Sequence, residues 1–190
     1  MGNPEQGIVF VFTGTSGSGR KTIAERIGRE LGIRPLISYT TREKRPKESD
    51  GRQYHFITRQ EFIEADIRSE FFQTVEIDNC FYGIKKSDIA IATENHANVY
   101  VVVNRYGANR FKYEYADKAV RIFIYVNKQT IRERLQARDV SEEILTHYMD
   151  HYSEEVSYRK DCEHVFENME LTETIEHVKK AISPYLTAVK

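Results

Sequence analysis

Apolar residues recur along this chain with two different spacings, and the switches between them mark out its elements. The stretch "IVFVFT", residues 8–13, is almost wholly apolar and rich in β-branched and aromatic side chains, the pattern of a strand buried on both faces of a parallel sheet. After a glycine-rich turn, Ile23, Ile27 and Leu31 recur at intervals of four and Gly32 follows, which predicts a helix over 22–31 with one buried stripe and a glycine C-cap. Two further inward strands are predicted at "NVYVVV" (98–103) and "RIFIYV" (121–126), each leading into a polar, helix-compatible stretch. Repetition of strand and helix in this order predicts an α/β fold, a parallel sheet flanked by helices.

The segment from 39 to about 91 has another texture, with charged turns, short aromatic strands such as "YHFIT" and "FFQTVEI", and few long apolar runs. It reads as an inserted mixed α/β subdomain. Beyond 126 come two strongly charged helical stretches, 128–138 and 141–159, then a short "HVFEN" strand and a closing helix over 171–188.

A chain of 190 residues fits one domain with a substantial core. Its 28 cationic and 29 anionic side chains leave a net charge of -1, so no global field draws it to nucleic acid or to an anionic membrane surface. Any anion must be bound locally. Cys80 and Cys162 lie far apart without metal-ligand spacing, and no charged segment leads into an apolar signal core, so a cytoplasmic location is expected. No apolar run approaches the roughly 20 residues of a membrane helix.

The glycine-rich turn is "GTSGSGRKT", residues 14–22. It nearly spells the phosphate-binding loop G-x-x-x-x-G-K-[S/T], in which backbone N–H groups and a helix N-terminus cradle phosphates. Gly14 and Gly19 are correctly spaced around Thr15, Ser16, Gly17 and Ser18, but Arg20 stands at the lysine position and Lys21 at the metal-binding hydroxyl. Two registers are open. In the strict one Arg20 supplies the cation and nothing supplies the hydroxyl; with the helix start shifted by one residue, Lys21 and Thr22 do both, and Lys21 outweighs Arg20.

A second candidate site is "SYTTREKRPKESDGRQYHF", residues 38–56, which packs five cationic side chains and several hydroxyls ahead of a Tyr-x-Phe strand. The planar fork of arginine suits bidentate phosphate binding, and Arg42 and Arg45 can grip one phosphate from two sides.

With these residues in view the chain resembles the guanylate kinases, P-loop enzymes that move a phosphoryl group from ATP to GMP. The pattern S-x-x-T-T-R-x-x-R-x-x-E-x-x-G-x-x-Y-x-F is met in order by Ser38, Thr40, Thr41, Arg42, Arg45, Glu48, Gly51, Tyr54 and Phe56, and "NCFYGIKKSDI" retains the family's Tyr-Gly at Tyr82 and Gly83. The resemblance implies a P-loop kinase core (1–38, 96–127 and 160–190), a monophosphate-binding subdomain (about 39–95) and a helical lid (about 128–159). It implies ATP held by residues 14–22, Mg2+ as cofactor with Thr22 as the available hydroxyl, and a GMP site of Ser38, Arg42, Arg45, Glu48, Tyr54, Gln73 and Tyr82. The segment "RERLQARD" resembles the family's lid, making Arg134 and Arg138 cations that close over the donor phosphates.

Departures from the family pattern cluster at two places. Besides the altered loop, the glutamate that reads the guanine edge is Gln73, the residue after Tyr-Gly is Ile84, and the D-x-D of the next strand is Val102 and Asn104. A carboxylate accepts from both the ring N–H and the exocyclic amine of guanine, whereas glutamine offers one acceptor and valine none. Weak base selectivity is therefore expected. Two other readings stay open: a catalytically silent guanylate-kinase-like module that binds GMP or a phosphopeptide, and a ribose-bisphosphate kinase of phosphonate metabolism, which needs no guanine reader.

Overall fold

The computed structural model describes residues 7–77, 79–94, 97–137 and 141–187. At its centre is a five-stranded parallel sheet, ordered β2 (Arg34–Pro35), β7 (Val99–Val102), β1 (Val9–Gly14), β8 (Ala119–Tyr125) and β9 (His164–Glu167). β1 is buried at all six positions, because its side chains alternate between two cores. Phe10 and Phe12 pack with Ile23 and Ile27 of α1 (Arg20–Leu31) and with Val178 and Ile182 of α7 (Leu171–Thr187). Val9 and Val11 face the other side, toward Ala108 and Phe111 of α4 (Arg105–Tyr115).

A second, four-stranded sheet is mixed: β4 (His55–Phe56), β3 (Tyr39–Thr40), β6 (Cys80–Lys85) and β5 (Phe71–Ile77), with β3 parallel to β4 and antiparallel to β6. Its own small core joins Phe62 and Ala65 of α2 (Arg59–Ile67) to Phe71, and α3 (Lys86–Thr93) leads back to the main sheet. The short strands of this segment follow the sequence pattern, and α2 and α3 supply the helices of a mixed α/β subdomain whose positions the pattern did not give. For α2 a signal was present, since Thr58 and Glu61 close a reciprocal capping box.

The helices α5 (Lys128–Gln136) and α6 (Glu142–Ser157) share a separate cluster of Val126, Ile131, Leu135, Leu145 and Met149. No helix among the described residues is long and apolar enough to cross a membrane. The α/β architecture expected from the strand and helix order is present, and with it the P-loop kinase core that the resemblance implies.

Candidate active site

The loop after β1 owes its shape to two close approaches. At Gly14 (φ 135°) a Cβ would lie 1.8 Å from the Ile124 carbonyl oxygen, so only glycine lets the chain leave the sheet here. The next N–H, of Thr15, donates to that same oxygen at 3.2 Å. At Gly19 (φ 87°) the backbone turns left-handed to cap α1, and a Cβ would meet Asn168 Nδ2 at 2.7 Å. That amide donates to the Ser18 carbonyl at 2.7 Å and ties the loop to the residue following β9. Inside the loop, Thr15 Oγ1 and Ser18 Oγ are buried with no protein partner. Hydroxyl donors left over beside converging N–H groups are what an anion-binding nest presents.

Helix α1 begins at Arg20, two residues before the predicted start at 22. The Arg20 guanidinium folds back into the loop and donates to the Gly14 carbonyl. Burial lowers its pKa, an effect opposed by the negative potential of Glu155 and by Tyr148 and Tyr54. Lys21 instead leans away from the loop, its Nζ 5.1 Å from the Tyr54 ring centroid and 3.9 Å from Glu25. Thr22, expected to offer a hydroxyl if the helix were shifted, is exposed and lines no part of the adjoining cavity. The unshifted helix start turns it away.

That cavity, about 640 Å3, opens between the start of α1, the end of β7 and the second sheet, and Arg20, Lys21, Ser38, Tyr54, Gln73 and Tyr82 all line it. Beside the cavity the Thr-Thr-Arg triplet is fixed locally: Thr40 Oγ1 accepts the Arg42 N–H at 3.1 Å, while Thr41 Oγ1 accepts the Phe81 N–H at 2.9 Å. Glu48 holds the Arg42 fork with both oxygens, at 2.8 and 2.9 Å, and also accepts the Arg45 N–H at 2.9 Å. Burial would lower the pKa of Arg42, but its bonds to Glu48 and the nearby Tyr82 hydroxyl outweigh that and raise it. Tyr54 meets Tyr82 edge to face at 5.7 Å and carries the Arg42 guanidinium 5.6 Å from its ring. Neither arginine lines the cavity itself: Arg42 stands half-buried behind Tyr54, while the Arg45 side chain is exposed. Glu48 is therefore placed as the clamp that orients Arg42.

The far end of the cavity is apolar, walled by Val75, Ile77, Ile84 and Val102. Gln73 lies flat on Gly107, where a Cβ would come 2.2 Å from its Oε1, and that oxygen has no partner. The Asn104 carboxamide is spent on capping α4, accepting the Gly107 N–H at 3.0 Å. Among the described residues lining the cavity Glu25 is the one carboxylate, and it belongs to α1 beside Lys21.

Arg134 of α5 reaches the back of the loop and donates to the Asn168 carbonyl at 2.9 Å. Arg138 lies outside the described residues. Two residues that the sequence did not single out also touch the loop: Asn168 and Glu155, the latter accepting the Ser16 N–H at 3.1 Å and its hydroxyl at 3.5 Å. Each comes from more than a hundred positions away, beyond the reach of any local pattern.

For Mg2+, the donor set does not fit a protein-ligated ion. Lys21 holds the hydroxyl position, Thr22 is turned out, Val102 replaces the strand-end acid, and no cluster of three or more His, Cys, Asp or Glu among the described residues could hold a metal.

A parallel sheet whose first strand ends in a glycine nest, with an inserted sheet facing that nest across a cavity, defines a P-loop kinase fold. Residues 6–185 match the sequence model of the family described as Guanylate kinase, and the chain belongs to that family. It is 31% identical over 183 residues to the guanylate kinase of Porphyromonas gingivalis, covering 94% of this chain and 97% of the relative. It is 34% identical over 140 residues to that of Symbiobacterium thermophilum, covering 73% and 66%. The crystal structure of guanylate kinase from Anaplasma phagocytophilum superposes with a TM-score of 0.76 at 22% identity, over 95% of this chain and 86% of the other, a likeness of fold.

Proposed function

We propose that this chain transfers the γ-phosphoryl group of ATP to GMP or a similar nucleoside monophosphate, with weakened selectivity for guanine and reduced turnover. The observation that carries this reading is the single cavity in which the start of α1, with Arg20 and Lys21, faces Tyr54 and Tyr82. Donor and acceptor phosphates would meet there. An acceptor phosphate oxygen attacks the γ-phosphorus as the bridging P–O bond breaks and ADP leaves. The protein's task is to position the two and to spread positive charge over the transferring group. Arg20 supplies charge from within the loop, Lys21 from the acceptor side, and Arg134 and Arg138 from the lid. Arg42, oriented by Glu48, grips the acceptor phosphate. Mg2+ would arrive on the ATP phosphates, and no step here is routed through it.

The apolar far wall and the neutral Gln73 support the loss of guanine selectivity. A division into core, acceptor subdomain and lid is part of the proposal, supported by the apolar clusters of their own beneath the subdomain and the lid, while Phe72 and Ile84 tie the inserted sheet to Val9 and Phe111 of the core. One observation favours the silent-module reading: the Arg20 fork is tied to Gly14 and a carboxylate sits on Ser16. Calorimetric titration with GMP, ATP and ribose bisphosphate, with and without Mg2+, separates the readings. Binding of both GMP and ATP supports the kinase, GMP alone the silent module, and ribose bisphosphate in preference to GMP the third reading.

A further inference from the structure

The contact between Glu155 and Ser16 joins the lid-side helix to the middle of the phosphate loop. Glu155 lies near the end of α6, which is fastened just before it: Tyr152 donates its hydroxyl to the Val126 carbonyl at 3.0 Å, and Glu154 pairs with Arg105 at the start of α4. Next to these ties the Glu155 carboxylate accepts from Ser16 N–H at 3.1 Å and faces Ser16 Oγ at 3.5 Å. Its negative charge also acts on the buried Arg20 guanidinium. A carboxylate so placed makes the kind of bond a phosphate oxygen makes in such a nest, a charged acceptor on a backbone N–H. It does not satisfy the loop, because Thr15 Oγ1 and Ser18 Oγ stay unpartnered beside it.

We propose that Glu155 is a positioning residue of the donor site: an internal anion that holds the empty loop open in phosphate-ready shape and must leave Ser16 when a donor phosphate enters. The proposal rests on the reading of residues 14–22 as the donor site. Carboxylate and phosphate cannot share one N–H without like-charge repulsion, so the donor's affinity is set partly by the displacement of Glu155. This couples α6 to donor binding, since the helix shifts or its Glu155 swings out as the loop fills.

The test is calorimetric titration of wild type, Glu155→Gln and Glu154→Gln with ADP, sodium pyrophosphate and GMP, with melting curves to confirm folding. Glutamine keeps an acceptor for the Ser16 N–H and removes the charge. The expected result is ADP and pyrophosphate binding about tenfold tighter in Glu155→Gln, the scale of one charged hydrogen bond, with GMP affinity and the Glu154→Gln variant within about twofold of wild type. Unchanged or weaker ADP binding in Glu155→Gln overturns the proposal. An equal gain for GMP overturns it as a general field effect, and an equal gain in Glu154→Gln overturns it as mere loosening of the helix. If no variant binds ADP or pyrophosphate, the donor-site reading fails, and this proposal with it.

Discussion

Arg42 and Arg45 look equivalent as letters in a motif, yet the structure places them differently, and their replacement by alanine should separate them. The Arg42 fork is preset by two bonds to Glu48, at 2.8 and 2.9 Å, a third to the Glu43 carbonyl at 2.7 Å, and the faces of Tyr54 and Phe56 at 5.6 and 5.8 Å. A guanidinium already oriented loses little freedom on meeting a phosphate dianion, so its charged hydrogen bonds should contribute about 1.5–3 kcal/mol. Arg42→Ala is thus expected to weaken monophosphate binding about 10- to 150-fold. Arg45 engages Glu48 only through its backbone N–H and its side chain is exposed, so Arg45→Ala should cost about 1 kcal/mol or less, under about sixfold. Calorimetric titration of both variants with GMP and AMP measures the difference. Arg42→Ala binding as well as wild type, or Arg45→Ala losing as much as Arg42→Ala, would refute the assignment of the clamp.

Restoring a carboxylate at the far wall, Gln73→Glu, should shift the ratio of GMP to AMP affinities toward GMP by about tenfold, within the ~1–3 kcal/mol of a bidentate base contact; an unchanged ratio in competitive titration removes Gln73 from base reading. Because Arg20 lies inside the loop and Lys21 over Tyr54, Arg20→Ala should lower turnover more than Lys21→Ala, and the reverse order in steady-state assays would reinstate the shifted register. Glu163 supplies a pH prediction. Burial raises its pKa, but bonds from Arg121 at 2.7, 3.0 and 3.1 Å and from Lys112 at 3.1 Å more than offset that and bring it down to about 2. Its folded pKa lies below the ordinary 4.5, so its contribution to stability is whole above that value and is lost as pH falls from about 4.5 toward 2. Melting temperature should therefore fall less steeply across this window in Glu163→Gln, and parallel curves would contradict the network.

Much of the fold could be read from the chain because one physical rule governs it: β1 had to be apolar on both sides to serve two cores, and the period of four in α1 names the residues that meet it. The boundaries were harder where tertiary contacts decide them. Helix α1 starts three residues before its apolar stripe, since Gly19 is held left-handed against Asn168, a partner from the far end of the chain. Motif spacing and the family resemblance named Arg42, Tyr54 and Tyr82 as one group, and the structure brings them together, with Tyr82 reaching Tyr54 from β6. It could not rank Arg42 above Arg45, because which of two neighbouring forks Glu48 holds and which is left exposed depends on the path of the loop after β3. Glu155 carried no signal at all, one acid in a charged helix, until the helix was laid across the loop.

Kinase activity in this chain requires that the altered loop still serve catalysis. The most direct measurement is ADP release from ATP and Mg2+ by the wild-type protein, followed with and without saturating GMP, AMP or ribose bisphosphate, beside Arg42→Ala. The account predicts slow ADP release that depends on a nucleoside monophosphate and falls sharply in Arg42→Ala. Tight acceptor binding with ADP release no greater than background, whatever the acceptor, would contradict it and leave a binding module on a kinase fold.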